Sequence, residues 1–178
     1  MANNDQSKFG LPSIWLHWLT LLLLVMTYAS MELRGIFPKG SLPREAMKAG
    51  HYLLGLSIFV LVWIRIIVRL CYATPAIQPK PPTWQMYLSH MMHLALYVFM
   101  IAMPMVGWAL LSAEGKPIPF FGLQLPALVN ENKSLAGQLE EIHEAIGTAG
   151  YVMISVHAIA ALFHHYIVRD NTLQRMIR

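Results

Sequence analysis

Residues 143–168 read HEAIGTAGYVMISVHAIAALFHHYIV, and the fold follows from how that stretch is read. Most of it is apolar over the length of about 20 residues that an α-helix needs to cross a bilayer. It nevertheless carries His143 and His157 on a fourteen-residue spacing. Fourteen residues of helix rise about 21 Å and, at about 100° per residue, return to nearly the same face. One membrane-length helix therefore presents two imidazoles at two depths.

The rest of the chain supplies the partners. Of the 178 residues 56% are hydrophobic and only 12% are charged, and the mean hydropathy is +0.48, a composition foreign to soluble domains. Four stretches qualify as transmembrane helices, at about 14–33, 50–68, 88–111 and 146–168. The sequence predicts an all-α protein, a four-helix transmembrane bundle forming a single domain over 1–178. Residues 131–141 are expected to make a short surface helix leading into the last span. Gly35, Pro38, Gly40 and Pro43 mark the first joint, and the run 74–82, with four prolines, marks the second.

The first stretch is read as a retained helix rather than a cleaved signal, because Met31-Glu32-Leu33-Arg34 follows it where small residues would mark a cleavage site. Net charge is +4, but the basic residues are scattered over helix ends, with no basic face to follow phosphates, so nucleic acid is not an expected partner. Orientation is nearly balanced. With both termini cytoplasmic, Lys8, Arg65, Arg69, Lys80, Arg169, Arg175 and Arg178 lie inside, and Arg34, Lys39, Arg44, Lys48, Lys116 and Lys133 outside.

Eight histidines lie in or near the spans, and ionisable groups in a bilayer usually face the bundle interior and mark function. His17 opens the first span and His51 the second. Consecutive helices run antiparallel, so these two lie at opposite membrane faces. The last helix offers each a partner at its own depth: His143 for His51 and His157 for His17. Two imidazoles approaching from facing helices form the arrangement that six-coordinates a haem iron in a bundle core, and a site so filled carries electrons rather than binding oxygen.

The single cysteine, Cys71, and the lack of a C-x-x-C-H run mean that any haem is held without thioether bonds. Glycines and alanines beside His51, His143 and His157 fit a flat cofactor, although small residues also serve ordinary helix packing. Pairing His17 with His164 instead would separate the two sites by about 31 Å along the helix, a poor distance for electron exchange. His90, His93, His164 and His165 are read as groups around the cofactor, delivering protons or bordering quinone, or else as interfacial residues. The span methionines are read as packing, and Trp15, Trp18, Trp84 and Trp108 as an interfacial aromatic belt, with Trp18 also within reach of haem.

These residues closely resemble the bacterial cytochrome b561 family, small di-haem membrane proteins related to the cytochrome subunits of hydrogenases and formate dehydrogenases. The resemblance is carried by Trp15-Leu16-His17-Trp18, Met31-Glu32-Leu33-Arg34-Gly35, His51, His90 and His93. It continues through His143-Glu144, Gly150-Tyr151, His157, His164-His165-Tyr166 and the closing Asp170-Asn171-Thr172-Leu173. It implies two haem b groups bound at His17, His51, His143 and His157 in a bacterial inner membrane, exchanging electrons with the quinone pool. For some members it also implies oxidation of superoxide at the outer face with reduction of ubiquinone.

On that reading Arg34, Lys39, Arg44 and Lys48 would steer a small anion toward the outer haem, or bind lipid phosphates or haem propionates. A second reading is an electron-transfer subunit whose donor is a partner dehydrogenase or hydrogenase docked on the outer surface. A third, a transporter or zinc protein, is weakened because Glu32, Glu114 and Glu144 all fall near span ends rather than within a pathway.

Overall fold

The computed structural model describes residues 8–177; Arg178 and the first seven residues of the expected 1–178 domain lie outside the described residues. Four helices run up and down: α1 (Leu11–Leu33), α2 (Leu42–Cys71), α3 (Thr83–Ala113) and α4 (Lys133–Phe163). A 3-10 turn (Arg34–Ile36) follows α1, and α4 runs on into a π-helical turn (His164–Val168). Each of the four is long and apolar enough to cross a membrane. Their outer faces agree: Leu70 is 81% exposed, Ile67 60% and Val25 57%, surfaces that only lipid would cover at low cost.

Local sequence explains where the helices start and stop. Prolines occupy the first turns of α1 and α2, where a missing N–H costs nothing and the ring presets φ. Asn132 caps α4, its side chain accepting from the Leu135 N–H at 3.1 Å. The far end of α4 closes when Arg169 turns left-handed, φ 60°. All four helices outrun the expected spans. The greatest excess is in α4, because residues 131–141 do not form a separate surface helix and most of them are its first turns.

The connection from α3 to α4 holds a small hairpin, β1 (Pro119–Phe120) paired antiparallel with β2 (Leu123–Gln124). Its two-residue turn, Phe121-Gly122, has φ of 47° and 82°, the mirror-image turn that suits strand twist and calls for glycine.

α1 packs along α2, and α3 along α4. The two halves meet at mid-height, where Ile58, Val62, Phe99 and Met100 are buried, with Leu24, Tyr28 and Met153 packed against them. Gly150 is the pivot of this layer: a Cβ there would run into the Tyr28 hydroxyl and the Phe99 ring. It lies seven residues from His143 and seven from His157, so the layer stands midway between the two imidazole levels of α4.

Each end of the bundle is closed differently. At the His51 end, Leu56, Leu111 and Ile118 form a second buried cluster, with Tyr52, Trp108 and Phe120 around it. The C-terminal segment closes the His17 end through hydrogen bonds. Arg175 donates to the Pro75 carbonyl, the Asn171 N–H to the Gln78 carbonyl, and the Trp18 indole to the Met176 carbonyl.

Candidate metal centres

The histidines stand where antiparallel helices bring them level. His51 on α2 faces His143 on α4 with ring centres 6.1 Å apart, and His17 on α1 faces His157 on α4 at 6.3 Å. A nitrogen–metal bond of about 2 Å, with the ring centre about 1 Å behind the nitrogen, puts two imidazoles on opposite sides of one metal at about 6 Å between centres. Both spacings fit. Among the described residues no three His, Cys, Asp or Glu side chains are placed to hold one metal ion together, so the candidate donors come in pairs. Paired imidazoles suit an axially ligated haem iron, which brings its own four nitrogens; a closed zinc site needs four protein ligands.

At the His51 pair the surroundings leave ring nitrogens free to hold a metal. The His51 Nδ1 lies 3.1 Å from the Thr27 carbonyl and 3.5 Å from the Ser30 hydroxyl. A carbonyl only accepts, so Nδ1 carries the proton and the other ring nitrogen keeps its lone pair for a metal. His143 rests against α3 where Gly107 has no side chain: a Cβ there would stand 3.1 Å from the His143 Cε1. The buried His143 Nδ1 has no partner among the described residues.

The His17 pair is more crowded. The Arg65 Nη2 lies 3.3 Å from the His17 Nδ1, and the Trp18 ring meets His17 edge-on at 5.5 Å. A third imidazole, His93 on α3, stands 5.4 Å from His157. His93 thus sits against one member of the pair. His164, another histidine at the far end of α4 that could have faced His17, is engaged elsewhere: its Nδ1 is 2.5 Å from Asp170. His90 is exposed, and His165 packs on Tyr166 at 4.8 Å.

The basic residues after α1 divide by what they touch. Arg44 donates to the carbonyls of Arg34 and Phe37, pinning the turn, and Lys48 pairs with Glu45 at 2.8 Å. Arg34 is half-buried and Lys39 exposed. Lys116, on the α3–α4 connection, bonds Glu114 at 2.9 Å, and that hydrogen bond holds its ammonium above the ordinary lysine range.

His93, expected as one of the groups around the cofactor, stands beside His157, whereas Arg65 and Gly107 were not legible as site features in the sequence. Only Arg65 left a signal, as a charge six residues inside the end of an apolar helix.

Comparison with known proteins gives one answer. The pattern described as prokaryotic cytochrome b561 matches residues 8–178. "Cytochrome b561 homolog 1" of Escherichia coli K12 is 44% identical over 171 residues, covering 96% of this chain and 97% of that protein. The Yersinia pestis protein named "Probable superoxide oxidase CybB" is 40% identical over 170 residues, covering 96% of each. "Cytochrome b561 homolog 2" of E. coli K12 is 26% identical over 176 residues, covering 98% of this chain and 93% of the other. With four membrane-length helices and a match along nearly its whole length, the chain belongs to the prokaryotic cytochrome b561 family, multi-pass bacterial membrane proteins that transfer electrons with b-type haem.

Proposed function

We propose that the protein is a di-haem superoxide:ubiquinone oxidoreductase of the bacterial inner membrane, one domain over 1–178 with both termini cytoplasmic. The observation that carries this reading is the pair of imidazole couples, 6.1 and 6.3 Å between ring centres, at two levels of one helix. His51 with His143 would hold the outer haem b and His17 with His157 the inner one. Haem b, when bound there, would supply a one-electron iron couple.

The chain's residues fix the tautomer of His51 through Thr27, make room for His143 through Gly107, and keep water away with the apolar cluster over that end. The chemistry balances as two superoxide anions each giving up one electron to become dioxygen, while ubiquinone takes two electrons and two protons to become ubiquinol. The Yersinia pestis relative named "Probable superoxide oxidase CybB" supports superoxide as donor. So does the basic turn at the His51 end, since clustered positive charge raises the encounter rate of a small anion.

Arg34 and Lys39 carry more of that steering than Arg44 and Lys48, whose side chains are committed to the turn and to Glu45. The test is stopped-flow reduction of the purified protein by superoxide in the presence of ubiquinone, over a series of salt concentrations. R34Q combined with K39Q is expected to slow reduction several-fold and flatten its salt dependence, with haem content unchanged. Wild-type protein that superoxide fails to reduce, but that a dehydrogenase or hydrogenase complex does reduce, would replace this reading with that of a partner's cytochrome subunit.

A further inference from the structure

Arg65 is a cation in an apolar helix, with no counter-ion among the described residues. Its guanidinium lies against His17 at 3.3 Å and over the Tyr97 ring, 5.7 Å from the centroid. Among the described residues it makes no ion pair; the pairs there join Lys48 to Glu45, Lys116 to Glu114 and His164 to Asp170. A charge inside a membrane bundle is costly unless something compensates it, and an aromatic face compensates only part.

The hydrogen bonding is also incomplete in one specific way. A guanidinium has donors and no acceptor. When one nitrogen of His17 binds a metal, the other carries a proton and needs an acceptor, as His51 has in Thr27. At His17 two donors would face each other. A carboxylate oxygen close to both relieves the conflict and neutralises the charge.

We propose that Arg65 receives a carboxylate, a propionate of the haem held between His17 and His157, and thereby makes that haem the more easily reduced of the two. The assignment rests on the di-haem reading given above. Pairing the propionate with a cation removes an uncompensated negative charge from beside the iron, and this favours the state with the added electron. Among the described residues no cation is hydrogen-bonded to either ring of the His51 pair as Arg65 is to His17; Thr27 and Ser30 offer neutral groups there, and Arg34 acts on His51 only through space. Electrons entering at the His51 end are therefore drawn toward the His17 end. Arg65 acts as a positioning residue, through the propionate and the ring of His17.

The experiment is an optical redox titration of the purified, haem-loaded protein and of R65Q, R65K and H17A. The H17A curve identifies the component that belongs to the His51 pair. In R65Q the other component is expected to shift by about tenfold in its reduction equilibrium, 59 mV downward for one electron, with the His51 component unmoved and R65K near wild type. If R65Q instead loses one haem, the proposal stands when the missing component is the one absent from H17A and R65K keeps it. Two haems with both components unmoved in R65Q, equal shifts of both, or a loss that R65K shares would overturn it. Wild-type protein with fewer than two haems would sink the di-haem reading itself, before any variant is read.

Discussion

The two ends of the bundle set their paired imidazoles at nearly the same spacing in opposite surroundings. Ring centres stand 6.1 Å apart at the His51 pair and 6.3 Å at the His17 pair. Around the first lie a neutral carbonyl, a glycine cradle and an apolar cover; around the second lie a guanidinium, a third imidazole and a polar clasp. Ligand geometry says what kind of group is held. On the di-haem reading, the shell around each group decides how readily it takes an electron, so two centres of identical chemistry can be given different work.

The largest expected effect tests whether the ends are separate at all. H143A and H157A should each remove one haem and leave the other, halving the haem absorbance per chain. H93A is the rival to watch. If it costs a haem while H17A costs none, His157 pairs with His93, and the contrast between the ends must be redrawn.

G150A comes next, because its Cβ would collide with Tyr28 and Phe99 in the layer that both ends share. Overpacking of this kind typically costs about 1–3 kcal/mol. Thermal unfolding should show that loss with both haems released together; a variant as stable as wild type would mean the halves part easily.

The clasp offers a contrast in pH. Burial pushes the Asp170 carboxyl up, but hydrogen bonds from His164 and Thr172 outweigh it and hold the group below the ordinary carboxylate range. A depressed folded pKa adds stability above the unfolded value, about 3.9, and that stability is lost as pH falls through the lower folded value. Acid should therefore loosen the His17 end first. D170N should remove about 1.5–3 kcal/mol at neutral pH and erase that difference, as followed by haem release against pH.

The smallest effect belongs to G107A. A Cβ at 3.1 Å from His143 needs a shift of only a few tenths of an ångström. Overall stability should stay within about 0.5 kcal/mol, while the spectrum or potential of the His51-side haem alone moves. A change at the other end would show that the ends are not independent.

The spans were legible because hydropathy reports what a bilayer solvates, and the imidazole levels followed from helix rise. The same measure hid the start of α4. Gln138, Glu140 and Glu141 look like a connection to a hydropathy reading, yet they continue one helix from the Asn132 cap. Arg44 reads as one more steering charge in the sequence; only the folded turn shows its hydrogen bonds to two carbonyls. Arg65 and Gly107 escaped for a shared reason. Which face of α2 or α3 turns inward is settled by packing between helices, and a nearly uniform apolar pattern does not encode it.

The mid-height layer around Gly150 also bears on what the protein keeps from crossing. Ile58, Val62, Phe99 and Met100 supply no group that can hand on a proton, and the nearby Tyr28 hydroxyl is spent on the Gly147 carbonyl at 2.8 Å. Electrons can tunnel through such a septum, whereas hydrogen ions need a chain of exchangeable sites or water. A membrane that stores energy as a proton gradient could house this conductor without being short-circuited by it.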